Sequence, residues 1–122
     1  MLIMINKMFK NGHIYWIATA LMLALILVGT LAPQSRIEGP ITSSDKLLHF
    51  VAFAALVFPL IFYDLKNSYW IVPLALGLGA LIEVFQPIFG RQRDVSDFYA
   101  DTLGVFFSLI VISTGKLIFQ SK

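Results

Sequence analysis

Residues 83–104, E-V-F-Q-P-I-F-G-R-Q-R-D-V-S-D-F-Y-A-D-T-L-G, join two long apolar segments. They also carry four of the chain's seven acidic residues (Glu83, Asp94, Asp97 and Asp101) and two of its nine basic ones (Arg91 and Arg93). If the flanking segments cross a lipid bilayer, each charge carried toward its centre costs about 2.5–3.5 kcal/mol on insertion scales. Such residues persist where they line a site or lock helices to one another, so this stretch marks the place to look for function.

The composition supports the membrane reading. Of 122 residues, 58% are hydrophobic and 13% charged, and the mean hydropathy is +0.83. Soluble domains carry about 25% charged residues, and a small soluble core hides only about 60–70% of its chain surface. The formal net charge of +2 is too small to point to a nucleic-acid partner. The absence of cysteine excludes disulfides, Cys-based zinc sites and thiol catalysis.

Working outward, the pattern predicts an all-α bundle of four transmembrane helices near 14–33, 46–63, 69–87 and 97–115, forming one domain over 1–122. The run 14–32 is uncharged for 19 residues, long enough to cross about 30 Å of hydrocarbon. It exceeds the apolar region of a cleaved signal peptide, about 7–15 residues. Lys7 and Lys10 precede it as a positive flank. Pro33, Gly39 and Pro40 break the chain before span two, and Ser43 or Ser44 can cap that span with Asp45 in its first turn. Pro59 removes one backbone bond from span two, and Pro87 leaves the Glu83 carbonyl without its helical donor. Gly77, Gly79 and Ala80 on span three and Gly104 on span four are small enough to admit a neighbouring helix.

Four spans return both termini to one side. Five basic residues (Lys7, Lys10, Lys66, Lys116, Lys122) then share that side and four (Arg36, Lys46, Arg91, Arg93) the other, a bias that predicts cytoplasmic termini. With either orientation, the start of span two, the end of span three and the start of span four fall together. Asp45 and His49 are four residues apart and share a helix face, as do Glu83 and Gln86, three apart. Asp97, Asp101, Gly104 and Ser108 continue the same spacing on span four. The expected ligand-binding set is therefore Asp45, His49, Glu83, Gln86, Arg91, Asp94, Asp97 and Asp101, with Arg91 pairing one or two carboxylates. The remaining acids call for a retained proton or a bound divalent cation, for which His49, Glu83, Asp97 and Asp101 have suitable ligand types. No other cofactor is indicated.

Three motifs, S-D-K-L-L-H-F-V-A-F at 44–53, I-E-V-F-Q-P-I-F-G-R at 82–91 and D-V-S-D-F-Y-A-D-T-L-G at 94–104, resemble the VanZ-like family of small bacterial membrane proteins. That family's pattern is D-K-x-x-H opening one span, E-x-x-Q before Gly-Arg, then spaced Asp residues and Asn-Thr-x-Gly opening the last span. Asp45, Lys46, His49, Glu83, Gln86, Arg91, Asp94, Asp97 and Gly104 match by position, whereas Asp101 stands where the family usually has Asn. The resemblance implies a multi-pass protein of the bacterial cytoplasmic membrane. It also implies, by analogy with the name-giving member, a link to resistance against lipid-tailed, teicoplanin-type glycopeptides.

Three functions compete at this stage. The first is binding of a membrane lipid or lipid-linked amphiphile at an extracytoplasmic polar site, where an Arg fork suits phosphate or carboxylate. The second is a membrane-embedded metal-dependent or acid–base enzyme, for which no H-E-x-x-H or G-x-S-x-G motif speaks. The third is a structural or accessory subunit whose polar residues lock the helices. The oligomeric state has no signature in the sequence.

Overall fold

The exterior of the molecule is apolar along most of its length, and its polar interior lies at one end. A computed structural model describes residues 1–31 and 43–122, save the side chains of Met8, Ser43 and Ser44. The expectations placed on Pro33, Arg36, Gly39 and Pro40 lie outside the described residues, as do the side-chain caps assigned to Ser43 and Ser44. Five α-helices are described: α1 (Leu2–Lys10), α2 (His13–Leu31), α3 (Ser43–Tyr63), α4 (Ser68–Phe85) and α5 (Val95–Gln120). Short 3-10 turns cover Leu65–Asn67 and Gln86–Phe89. Among the described residues, four helices, α2 to α5, are long and apolar enough to cross a membrane. An even number of crossings brings both termini out on one face.

The helix ends follow local chemistry. The α-helical part of α4 stops at Phe85 and tightens into the 3-10 turn, because Pro87 has no N–H to continue the ladder and Gly90 (φ 77°) closes the turn in the left-handed region. The expected third span, 69–87, therefore divides into two helix types. The fourth begins earlier and ends later than 97–115. Asp94 caps it by accepting from the Ser96 amide at 2.9 Å, and the apolar residues Leu117–Phe119 carry it to Gln120. At 26 residues and 1.5 Å per residue it is about 39 Å long, more than one hydrocarbon thickness. Residues 2–10, expected only as a basic flank, form a helix of their own, with Leu2, Ile3 and Met4 almost wholly exposed. The chain turns into α2 at Gly12 (φ 72°).

α3 is the central helix, packed most extensively on α5 and next on α2. Its Phe53, Leu56, Val57, Leu60 and Ile61 are all but inaccessible and meet Ile26 of α2, Ile71, Ala75 and Ile82 of α4, and Val105 and Ile112 of α5. The opposite faces display Leu25, Leu74, Leu103, Phe107 and Ile110, each more than half exposed. So much uncovered apolar surface belongs against lipid. α2 is peripheral: Ile26 is its one buried residue, and Thr19 Oγ1 ties it to the Leu56 carbonyl at 3.1 Å.

The α3–α5 crossing depends on Gly104. A Cβ there would fall 2.2 Å from the Phe50 carbonyl oxygen and 3.0 Å from the Ala54 nitrogen, so the two backbones touch. One turn on, Ser108 Oγ donates to the Ala54 carbonyl at 2.8 Å. Gly79 of α4 makes room for side chains of α5 rather than for its backbone, its open face filled by Phe98 and the Asp101 carboxyl. Gly77 does not: it is exposed, and a Cβ placed there would meet nothing within 4 Å. Its expected packing role is corrected, because Gly77 and Gly79 lie about 200° apart around the helix and only one can face α5. Ala80 is exposed as well.

Candidate functional site

Six polar side chains are buried among the described residues: His49, Glu83, Gln86, Asp97, Asp101 and Ser108. All but Ser108 cluster where α3 begins, α4 ends and α5 begins. Each helix brings its pair by helical spacing, Asp45 with His49, Glu83 with Gln86, and Asp97 with Asp101. The close α3–α5 crossing at Gly104 then sets the α5 carboxyls against the α3 imidazole.

His49 is the hinge of the cluster. Its Nδ1 lies 2.8 Å from Asp101 Oδ1, and its Nε2 lies 3.7 Å from Asp97 Oδ2. The first is a hydrogen bond; the second is too long for one. With Asp101 ionised, its carboxylate can only accept, and Nδ1 carries the proton of this bond. Asp101 is 1% exposed and its Oδ2 packs against Gly79. Asp45, partly exposed at the start of α3, completes a group with His49 and Asp97 in which one ligand-type atom from each lies within 4.8 Å of the others.

Glu83 ties the loop to this core. Its Oε2 accepts from the Asp94 amide at 3.1 Å, and its backbone carbonyl, released by Pro87, accepts from Arg93 Nε at 3.2 Å. Asp94 in turn caps α5 and pairs with Lys46 Nζ at 3.3 Å, both half-exposed. The Ser96 hydroxyl and amide, ahead of the Lys46 ammonium, hold the Asp94 carboxyl below the usual carboxylate range. Gln86 is 1% exposed, and its carbonyl accepts from the Arg91 amide at 3.1 Å to close the turn. Four buried oxygens have no donor among the described residues: Glu83 Oε1, Gln86 Oε1, Asp97 Oδ1 and Asp101 Oδ2. Every one of them is an acceptor.

Of the eight residues singled out from sequence, Asp45, His49, Asp97 and Asp101 form one contiguous group, and Glu83, Asp94 and Gln86 form the wall beside it. Arg91 stands apart. Its guanidinium donates to the Gly29 carbonyl at 2.8 Å, so it does not supply the carboxylate partner expected of it. The reason is local: Gly29 is in the last turn of α2, whose carbonyls lack helical donors and form the negative end of the helix dipole. Arg93 and Lys46, which the sequence places only on the same side as the cluster, are among the described residues the two cations whose side chains touch the site's framework. The free carbonyl left by Pro87 was the signal for Arg93. The metal-type grouping also differs from the expected set, taking Asp45 in place of Glu83 and Asp101. Asp101 occupies the other nitrogen of His49, and one oxygen of Glu83 is committed to the Asp94 amide.

A family model described as VanZ/LLP1 matches residues 2–119, nearly the whole chain. No curated protein and no solved structure matches it.

Proposed function

Because this chain belongs to the VanZ-like family of membrane proteins, we propose that it binds an amphiphile with an anionic head group at the polar end of its bundle. The tail would lie along the apolar exterior and the head would sit at the membrane–water boundary. In this reading the membrane is a bacterial cytoplasmic membrane and the polar end faces its outer side, as the basic-residue bias suggests. One observation carries the reading. The buried polar residues of three helices, Ser108 apart, gather at a single end of a bundle whose flanks are apolar, so a ligand reaching them arrives along the interface. Lys46, 40% exposed, and the exposed Arg93 stand at the rim as phosphate or carboxylate donors. By family analogy, capture of lipid-linked envelope components or of the lipid tail of a glycopeptide connects the protein to teicoplanin-type resistance.

Native mass spectrometry tests this on detergent-purified protein mixed with phosphatidylglycerol, a polyprenyl diphosphate and phosphatidylcholine. Retention of one anionic amphiphile, reduced in a Lys46→Gln/Arg93→Gln double variant, is expected. Equal retention of phosphatidylcholine, or no effect of the double variant, contradicts the proposal.

A further inference from the structure

We propose that Asp45, His49 and Asp97 form a binding site for a divalent transition ion of the Zn2+ or Mn2+ type, with Asp101 as the residue that orients His49. The group offers one imidazole nitrogen and two carboxylates, with one atom from each within 4.8 Å of the others. Two oxygens and a nitrogen of this kind suit a borderline ion better than Mg2+, which favours an all-oxygen shell and keeps its waters.

Proximity alone does not carry the assignment; the unpartnered oxygen of the buried Asp97 does. The His49 ring is 6% exposed, and its Nδ1 is committed to Asp101 at 2.8 Å, which leaves Nε2 facing Asp97 Oδ2 at 3.7 Å, too far for a hydrogen bond. In the neutral ring that a metal ion requires, Nε2 offers its lone pair. A metal ion about 2.0–2.2 Å from each atom spans that separation. The second oxygen of Asp97, 6% exposed, has no donor among the described residues. Glu83, at the end of the neighbouring α4, has an Oε1 likewise without one. Two buried carboxylates, Asp97 and Asp101, thus flank one imidazole at a membrane boundary, where low dielectric makes unmatched negative charge costly. A divalent ion supplies the missing positive charge.

The Asp101–His49 hydrogen bond has the form of the carboxylate–histidine–metal arrangement, in which the carboxylate fixes the tautomer and raises the basicity of the ligating nitrogen. Three protein ligands leave coordination positions open. These open positions rest on the amphiphile reading for their use: they would receive the oxygens of an anionic head group, so the ion reconciles an acid-rich site with an acidic ligand.

The test is isothermal titration of tag-free, chelator-stripped protein in detergent with ZnCl2, MnCl2 and MgCl2. One equivalent of Zn2+ is expected, held more tightly than Mn2+, with Mg2+ weakest. Asp101→Asn is expected to weaken Zn2+ by about 10–100-fold, and His49→Gln and Asp97→Asn by more. Asp64→Asn, at the far end of α3, leaves it unchanged. Where a variant does not fold, 15N spectra of the wild-type histidines decide: Zn2+ must shift His49 Nε2. No saturable equivalent of Zn2+, unaltered affinity in His49→Gln and Asp97→Asn, or Zn2+ binding that leaves His49 Nε2 unmoved overturns the site. If Zn2+ binds as expected but its removal leaves anionic-amphiphile retention unchanged, the metal site stands and its head-group role fails.

Discussion

Replacing Gly104 with alanine probes the contact on which both the fold and the polar site depend. The new Cβ would start 2.2 Å from the Phe50 oxygen, and ordinary contact begins near 3.4 Å, so α3 and α5 must part by roughly 1.2 Å or tilt to the same effect. Backbone atoms, unlike the tip of a flexible side chain, cannot swing aside. A gap of about 0.5–1 Å forfeits a quarter to a half of each dispersion contact it opens, and overpacked cores lose about 1–3 kcal/mol or more. The α3–α5 crossing is the most extensive in the molecule, so the loss belongs at the upper end. Alanine's helix propensity returns up to about 1 kcal/mol, which leaves a net destabilisation of about 2–3 kcal/mol. The same movement stretches the His49–Asp101 and Ser108–Ala54 hydrogen bonds, both 2.8 Å across this crossing. Thermal unfolding in detergent, followed by circular dichroism, reads the first effect, and the 15N shift of His49 Nδ1 reads the second. Gly77→Ala is the matched control. With nothing within 4 Å, it should stabilise by about 0.5–1 kcal/mol. If Gly104→Ala melts with the wild type or above it, the backbone contact between α3 and α5 is not as described.

Other predictions follow from the same geometry. Asp101→Ala leaves the buried Nδ1–H of His49 without its acceptor, and should cost about 1–3 kcal/mol; Ile110→Ala, on the 63% exposed lipid side, should cost clearly less in the same melting assay. Ser108→Ala removes an interhelical bond to a carbonyl that retains its helical donor, so its effect on melting should be small, about 0.6 kcal/mol. For Asp94, the Ser96 hydroxyl and amide and Lys46 hold the folded carboxyl below the ordinary value of 3.8. Its contribution to stability is therefore present above that value and is lost as pH falls below it toward the folded value. Asp94→Asn should reduce this acid-side slope in a melting series across that window. Arg93→Gln deprives the Glu83 carbonyl of its side-chain donor, and should cost about 1 kcal/mol, whereas a change at the exposed Gln92 position, Gln92→Ala, should be silent.

The fold was legible because a membrane imposes a simple code. Long uncharged runs, a Pro–Gly interruption and clustered charges are enough to place four spans within a few residues. The meeting of Asp45, His49, Asp97 and Asp101 was legible for a related reason: spacings of four residues fix a face, and connectivity fixes an end. What the sequence could not carry was the choice among partners. Arg91 and Arg93 are two residues apart in one loop, yet one reaches the Gly29 carbonyl and the other the Glu83 carbonyl. That choice depends on where α2 ends relative to the loop, a tertiary fact without a local signature. Gly77 and Gly79 are equally small in sequence, and only the rotation of α4 selects Gly79. α5 runs on to Gln120, past the expected end at 115, because the apolar residues Leu117–Phe119 favour continuing the helix beyond Gly115 and Lys116.

Whether the polar end is a binding site or a structural knot is decided by the effect of an anionic amphiphile on the melting temperature of the wild type and of Asp97→Asn in detergent. Asp97→Asn replaces a buried carboxyl whose Oδ1 has no donor among the described residues, so a site held open for a ligand should melt at or above the wild-type temperature without amphiphile, and in the presence of Zn2+ the variant, lacking the ion that bridges to the head group, should lose the stabilisation that a polyprenyl diphosphate gives the wild type. A variant that melts well below the wild type without amphiphile, yet gains as much from it as the wild type does, would contradict the assignment.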